Sequence, residues 1–175
     1  MGHFRGVSSG SRVMQRRYIA FMLWFVGRAI VAASKADKDV KQEFEAFPDG
    51  FTFSLGSLPS GPRMVIQKKA PGKVRYLGQG KGEAIDLNLT IKHLQAFFMI
   101  LSFQESTATA NARARLFVDG GVPEACAVVR VMDIVQVYLL PKVIAKLAVK
   151  RYPVWSWRRH ILGRSVVYLR TVTGI

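Results

Sequence analysis

Between residues 84 and 103 the hydrophobic period changes from two to nearly continuous, and that change constrains the fold more than any other feature of the chain. Ile85, Leu87, Leu89 and Ile91 alternate with Asp86, Asn88, Thr90 and Lys92. Successive side chains of a strand point to opposite faces, so this segment has one apolar face and one polar face, the pattern of a sheet covered on one side. Directly after it, Leu94, Phe97, Phe98 and Leu101 recur at helical spacing, and Ala96, Met99 and Ile100 fill most remaining positions. A helix apolar nearly all round has to be buried, so a buried helix is expected over 93–103.

The remaining chain supplies the partners. Phe51, Phe53 and Leu55 alternate with Thr52 and Ser54 and predict a half-buried strand after the turn signal Pro48-Asp49-Gly50. Two more strands, 63–69 and 73–77, are set off by Leu58-Pro-Ser-Gly-Pro62 and Pro71-Gly72. A last strand, Arg115-Leu-Phe-Val118, closes at Asp119-Gly120-Gly121. Pro123 then stands in the first turn of a long helix, where its missing N–H costs nothing. Val128, Met132, Val135 and Leu139 form that helix's core stripe, Pro141 ends it, and a shorter helix with Val143, Ile144 and Leu147 is expected beyond. With a short polar helix over 37–49, the order predicts an α+β fold: a five-stranded, mostly antiparallel sheet covered by helices on one face.

Charge divides the chain more sharply than hydropathy does. The net charge is +15, yet between Asp37 and Asp133 lie 12 basic and 11 acidic residues. Six basic residues precede Asp37 and eight follow Asp133, with no acidic residue among them, so +14 sits in the two ends. The expected organisation is a basic N-terminal segment with an apolar helix (1–36), a central domain (37–150), and a basic, aromatic C-terminal extension (151–175). Charge confined to the ends suggests one role for the core and another for the termini.

In the first segment, Arg12, Arg16 and Arg17 precede an apolar run from Tyr18 that Gly27 and Arg28 interrupt before Ala29–Ala33. It has the form of a signal peptide, but is read as retained. The run covers 16 positions, short of the roughly 20 that a span requires, and an arginine deep in lipid costs about 2.5–3.5 kcal/mol. A helix packed on the domain or lying in the membrane interface is expected instead. Met1-Gly2 resembles a myristoylation start, but Gly6 replaces the hydroxyl residue and an ordinary terminus is the better reading. The tail Arg151-Tyr-Pro-Val-Trp-Ser-Trp-Arg-Arg-His160 interleaves aromatics with cations. Tryptophan and tyrosine favour the headgroup level of a membrane, and tryptophan with arginine also anchors protein interfaces. Arg16, Arg17, Trp24, Arg28, Trp155, Trp157, Arg158 and Arg159 are therefore the candidate membrane or partner contacts. Nucleic acid could stack on the same tryptophans, but the near-neutral centre and the lack of a binding signature make it an unexpected partner.

No catalytic constellation emerges, and the chain is expected not to be an enzyme. The acidic residues are too scattered to pair, and Glu105, Ser106 and His93 read better as capping or turn residues than as a site. His3, His93 and His160 have no metal-ligand spacing, so no metal is expected. The single cysteine, Cys126, cannot form an internal disulfide and reads as a small core residue. Asn88-Leu-Thr90 matches a glycosylation acceptor by coincidence, being in mid-strand.

Three local patterns carry a resemblance: Pro48-Asp-Gly50 before the first strand, Ala84-Ile-Asp-Leu-Asn-Leu-Thr-Ile91 running into the helix, and Arg115-Leu-Phe-Val-Asp-Gly120 leading into the long helix. Over about residues 45–150 the chain resembles the sterol-carrier-protein type-2 superfamily. From Arg115 through Met132-Asp-Ile134 to Leu140-Pro-Lys142 it is similar to the bacterial branch associated with ubiquinone biosynthesis. The resemblance implies helices and a five-stranded sheet enclosing an apolar tunnel for a sterol, an acyl chain or an isoprenoid quinone. Leu87, Leu89, Leu94, Phe97, Phe98, Leu101, Leu116, Val128, Met132 and Val135 would line it, although the phenylalanines and methionines also suit ordinary core packing. The expectation is a non-catalytic protein that binds and presents a lipid-like ligand, peripheral to the cytoplasmic side of an anionic membrane. No cofactor is expected beyond such a bound lipid or quinone. Two alternatives stay open: an accessory subunit of a membrane enzyme complex that keeps the fold with an empty tunnel, and a basic RNA-binding protein.

Overall fold

The structure is a computed structural model that describes residues 12–58, 60–69, 73–80, 82–102, 104–105, 107–139 and 165–171. It opens with α1 (Val13–Ala36) and α2 (Lys38–Glu45), which meet at a sharp corner at Asp37. Asp37 is extended there (φ −113°, ψ 127°), and its Oδ1 accepts the N–H groups of Asp39 at 2.8 Å and Val40 at 3.2 Å, satisfying donors that the first turn of α2 would otherwise leave orphaned. Its Oδ2 accepts from the buried Tyr138 hydroxyl, which ties the corner to the far end of the helix Val122–Leu139.

Five strands form one sheet: β1 (Thr52–Ser57), β2 (Arg63–Lys69), β3 (Lys73–Tyr76), β4 (Leu87–Ile91) and β5 (Leu116–Asp119), in the spatial order β3-β2-β1-β4-β5. Strand β4 alternates as expected, whereas the central β1, expected to be half-buried, is buried along its whole length. The fold is α+β as expected, and the sheet is mixed. Its β1–β2, β2–β3 and β4–β5 pairings are antiparallel, whereas β1 and β4 run parallel, with Phe53 opposite Leu87 and Leu55 opposite Leu89. That register puts Phe53, Leu55, Leu87 and Leu89 on one buried face. On the other face Ser54 meets Asn88, and Gly56 lies between Arg63 and Thr90.

Between β4 and β5 come α3 (Leu94–Leu101) and α4 (Thr107–Ala112), and after β5 comes α5 (Val122–Leu139). The expected all-round burial of α3 is not observed. Ala96, Phe97 and Leu101 are buried, Leu94, Phe98, Met99 and Ile100 are half-buried, and Gln95 is exposed. Cys126, expected in the core, is exposed on α5, while Ala125, Ala127 and Val128 beside it are buried. The shorter helix expected after Pro141 lies outside the described residues.

Helix α1 is part of the core and not an appendage to it. Ile19, Ala29, Ile30 and Ala33 are wholly buried, and Leu23 and Ala32 nearly so, in one cluster with Phe53, Met64, Ile66, Leu87, Phe97 and Val135. The charge boundary at residue 36 therefore marks no division of the core. By length and composition α1 could cross a membrane, but half of its most apolar stretch is buried against this fold. Gly27, which broke the apolar run, is where the helix meets the sheet: a Cβ there would lie 2.7 Å from the Tyr76 ring.

Candidate functional site

One cleft is apolar on nearly every side. Met22, Leu23, Phe25 and Val26 of α1 form one wall, Ile100 and Leu101 of α3 another, and Met132, Gln136 and Leu139 of α5 a third, with Leu55 of β1 as the floor. Its volume is about 180 Å³. The helices are held around it by specific contacts. Tyr18 packs edge-on against Phe98 with ring centres 5.1 Å apart, fixing α1 on α3. Arg130 donates from Nε (2.7 Å) and Nη2 (2.8 Å) to the two carboxylate oxygens of Glu43, fixing α5 on α2.

Gln136 is the one polar side chain on these walls, and its Oε1 is buried without a hydrogen-bond partner among the described residues. A buried amide oxygen with no donor is uncommon in a native structure and asks for a reason. Asp133, three residues earlier on α5, is half-buried and outside every ion pair among the described residues. Burial pushes its carboxyl up from 3.8 to about 6.

A short helix over 165–171 packs beside the cleft. The Tyr168 hydroxyl donates to the Leu139 carbonyl, and the Tyr168 ring lies 6.4 Å from that of Phe25, both wall residues. From Phe25 an aromatic strip continues outward along α1: Phe25 stacks on Phe21 at 6.4 Å, and Phe21 contacts Trp24 at 5.9 Å. Phe21 is 59% exposed and Trp24 40%, and the Arg28 guanidinium sits 5.1 Å from the Trp24 ring centre.

Of the ten residues expected to line a tunnel, the structure brings Leu101 and Met132 to the cleft. Leu87, Leu89, Phe97, Val128 and Val135 are packed into the core, at 0–2% exposure, and Leu94, Phe98 and Leu116 are half-buried against it. The α1 wall and Gln136 were missed. The available signal was the spacing of Met22, Phe25 and Val26 on α1, but the same spacing serves a membrane-facing helix. Of the candidate membrane contacts, Arg16 and Arg17 are exposed, Trp24 lies on the aromatic strip, and Arg28 is half-buried beside it. Trp155, Trp157, Arg158 and Arg159 lie outside the described residues. Glu105 is a buried anchor: its carboxylate takes Arg113 at 2.9 Å and Arg115 at 2.5 Å, which joins the end of α3 to the start of β5.

No family model and no curated protein matches the sequence. Among solved structures the chain is similar to a UbiJ-SCP2 ubiquinone synthesis protein (12% identity, 70% of this chain and 96% of that one, TM-score 0.42). It is also similar to sterol carrier protein 2 from Yarrowia lipolytica (15%, 63% and 86%, 0.43) and to the sterol carrier protein domain 2 of Helicoverpa armigera (18%, 74% and 94%, 0.43). The likeness is one of fold, and superpositions this loose carry no argument about function.

Proposed function

We propose that this chain binds the apolar part of a lipid-like molecule in the cleft between α1, α3 and α5, and does so at a membrane surface. The observation that supports this reading is the cleft itself, apolar on every wall except for one buried, unpartnered amide oxygen. A cavity of about 150 Å³ lined by aliphatic and aromatic side chains stays dry and admits a guest the size of benzene. Ligand sites for whole small molecules run from about 300 Å³ upward. A cleft of about 180 Å³ thus takes one ring or one chain segment, and the remainder of a longer amphiphile extends past its mouth. The exposed aromatic strip of Phe21 and Trp24 runs outward from Phe25 and gives that remainder, or the surrounding bilayer, an apolar surface.

The test is mass spectrometry of an organic extract of the purified full-length protein, with titration of an environment-sensitive fluorescent fatty acid. Met132→Trp, which fills the cleft, should abolish saturable binding while leaving the circular dichroism spectrum unchanged. A wild-type protein that yields no co-purified lipid and shows no saturable binding refutes the reading. The small size of the cleft favours one second reading, an accessory subunit whose cleft is simply imperfect packing. On that reading Met132→Trp stabilises the protein and nothing is displaced.

A further inference from the structure

A second depression of different chemistry lies where the end of β1 and the start of β2 meet the first turn of α1. Its floor is set by register: Gly56 lies between Arg63 on β2 and Thr90 on β4, with Asn88 two residues before Thr90. Its volume is about 390 Å³, and among the described residues no carboxylate lines it. Two arginines do. Arg63 donates from Nε to the Gln79 carbonyl (3.2 Å) and from Nη2 to the Gly80 carbonyl (2.8 Å), and Arg16 donates from Nη2 to the Ser60 carbonyl (2.5 Å). Neither forms an ion pair among the described residues, so two guanidinium charges border one cleft, each fixed by a carbonyl and each with further N–H groups uncommitted.

Two more donors belong to the same wall. Ser57 is 8% exposed, lines the cleft, and its Oγ is buried with no hydrogen-bond partner among the described residues. The chain makes room for that hydroxyl: a Cβ on Gly61 would stand 1.7 Å from it. Asn88 accepts the Ser54 hydroxyl on its Oδ1, so its amide nitrogen remains as a donor. Uncompensated positive charge, a buried unpaired hydroxyl and an amide donor together define an anion site.

We infer that this cleft binds a phosphate-type oxyanion, with Arg16 and Arg63 supplying charge and Ser57 and Asn88 supplying directed hydrogen bonds. Phosphate offers enough acceptor oxygens for all four groups and is matched by guanidinium geometry. The same chemistry is presented by free phosphate compounds and by a phosphomonoester lipid headgroup. The site shares no lining residue with the apolar cleft and stands or falls independently of it.

The experiment uses the full-length protein in two arms: calorimetric titration with inorganic phosphate, and sedimentation with phosphatidylcholine vesicles containing phosphatidic acid or, at equal charge, phosphatidylserine. Arg16→Gln and Arg63→Gln should each weaken binding about tenfold or more. Ser57→Ala, which changes no charge, should weaken it about threefold. Arg75→Gln, an exposed cation of β3 outside the cleft, should match wild type. Binding in the phosphate arm assigns a free phosphate compound, and preference for phosphatidic acid vesicles alone assigns a headgroup. Because Arg63 also holds the 79–80 loop, Arg16→Gln and Ser57→Ala decide the matter if Arg63→Gln is misfolded. The inference is overturned if neither arm shows saturable binding. It is equally overturned if Arg16→Gln loses no more than Arg75→Gln and Ser57→Ala loses nothing.

Discussion

Gln136 holds a buried, unpartnered amide oxygen against methionine, leucine and phenylalanine side chains, and leaving such a group unsatisfied costs about 1–3 kcal/mol. Gln136→Leu should therefore stabilise the lipid-free protein by about 1 kcal/mol in urea denaturation. The same change should weaken binding of a hydroxyl-bearing amphiphile relative to its methylated analogue. If stability rises and both analogues bind unchanged, the oxygen meets no ligand donor. Asp133 makes a prediction that depends on pH. Its carboxyl is raised from 3.8 to about 6 by burial, so the folded state binds the proton more tightly than the unfolded one. Its contribution is most favourable below the unfolded value and is lost as pH rises from about 4 to about 6, after which it is flat. Asp133→Asn should thus raise stability above pH 6, by about 1 kcal/mol after solvent screening of a half-buried group is allowed for. Thermal melts at acidic and neutral pH check it: the gap between variant and wild type should close near pH 4.

At the level of elements, α1 carries the largest consequence. Burying a large aliphatic side chain contributes about 1.5–3 kcal/mol, so Ile19, Leu23, Val26 and Ile30 together match the whole stability of a typical domain, about 5–15 kcal/mol. A chain beginning at residue 37 should fail to fold, with no cooperative urea transition and unfolded-like amide dispersion in NMR. Gly27→Val should cost about 1–3 kcal/mol by driving the Tyr76 ring off the helix. The strands were legible because alternation is local: Leu87, Leu89 and Ile91 are buried between half-buried Asn88 and Thr90, as their polarity demands. The parallel pairing of β1 with β4 was not, since nothing in Phe53 or Leu55 names a partner more than thirty residues away. The cleft was half legible for a related reason. Leu101 and Met132 sit on faces whose spacing points inward, but an apolar helix face reads alike whether protein or lipid covers it. The sequence of α1 therefore fits packing on the domain and lying in a membrane interface equally, and the sheet face of Leu87 and Leu89, expected to line a tunnel, is packed into the core.

For the molecule as a whole, the separation of charge from core predicts how it meets a membrane. Fourteen of the 26 basic residues lie before Asp37 or after Asp133, where no acidic residue offsets them. Each cation near an anionic surface contributes about 1 kcal/mol, an effect that fades beyond a Debye length of about 8–10 Å. Full-length protein should therefore sediment far more with anionic vesicles than with neutral ones at low salt. The exposed aromatic strip adds a different component: Phe21 and Trp24 beside Arg17 and Arg28 place apolar surface and charge on the same helix. Apolar burial is not screened by salt, so raising the ionic strength should weaken attachment without abolishing it. The two components separate by mutation. Phe21→Ala with Trp24→Ala should remove the salt-resistant fraction while leaving low-salt binding within about threefold, because neither ring is in the core and no charge is lost. Arg12, Arg16 and Arg17 changed together to glutamine should do the reverse. If salt leaves wild-type binding untouched, or if neutral vesicles capture the protein equally well, charge is not what holds it. The basic ends would then have to serve a protein partner, and the acidic surface of a membrane complex would replace the bilayer as the candidate.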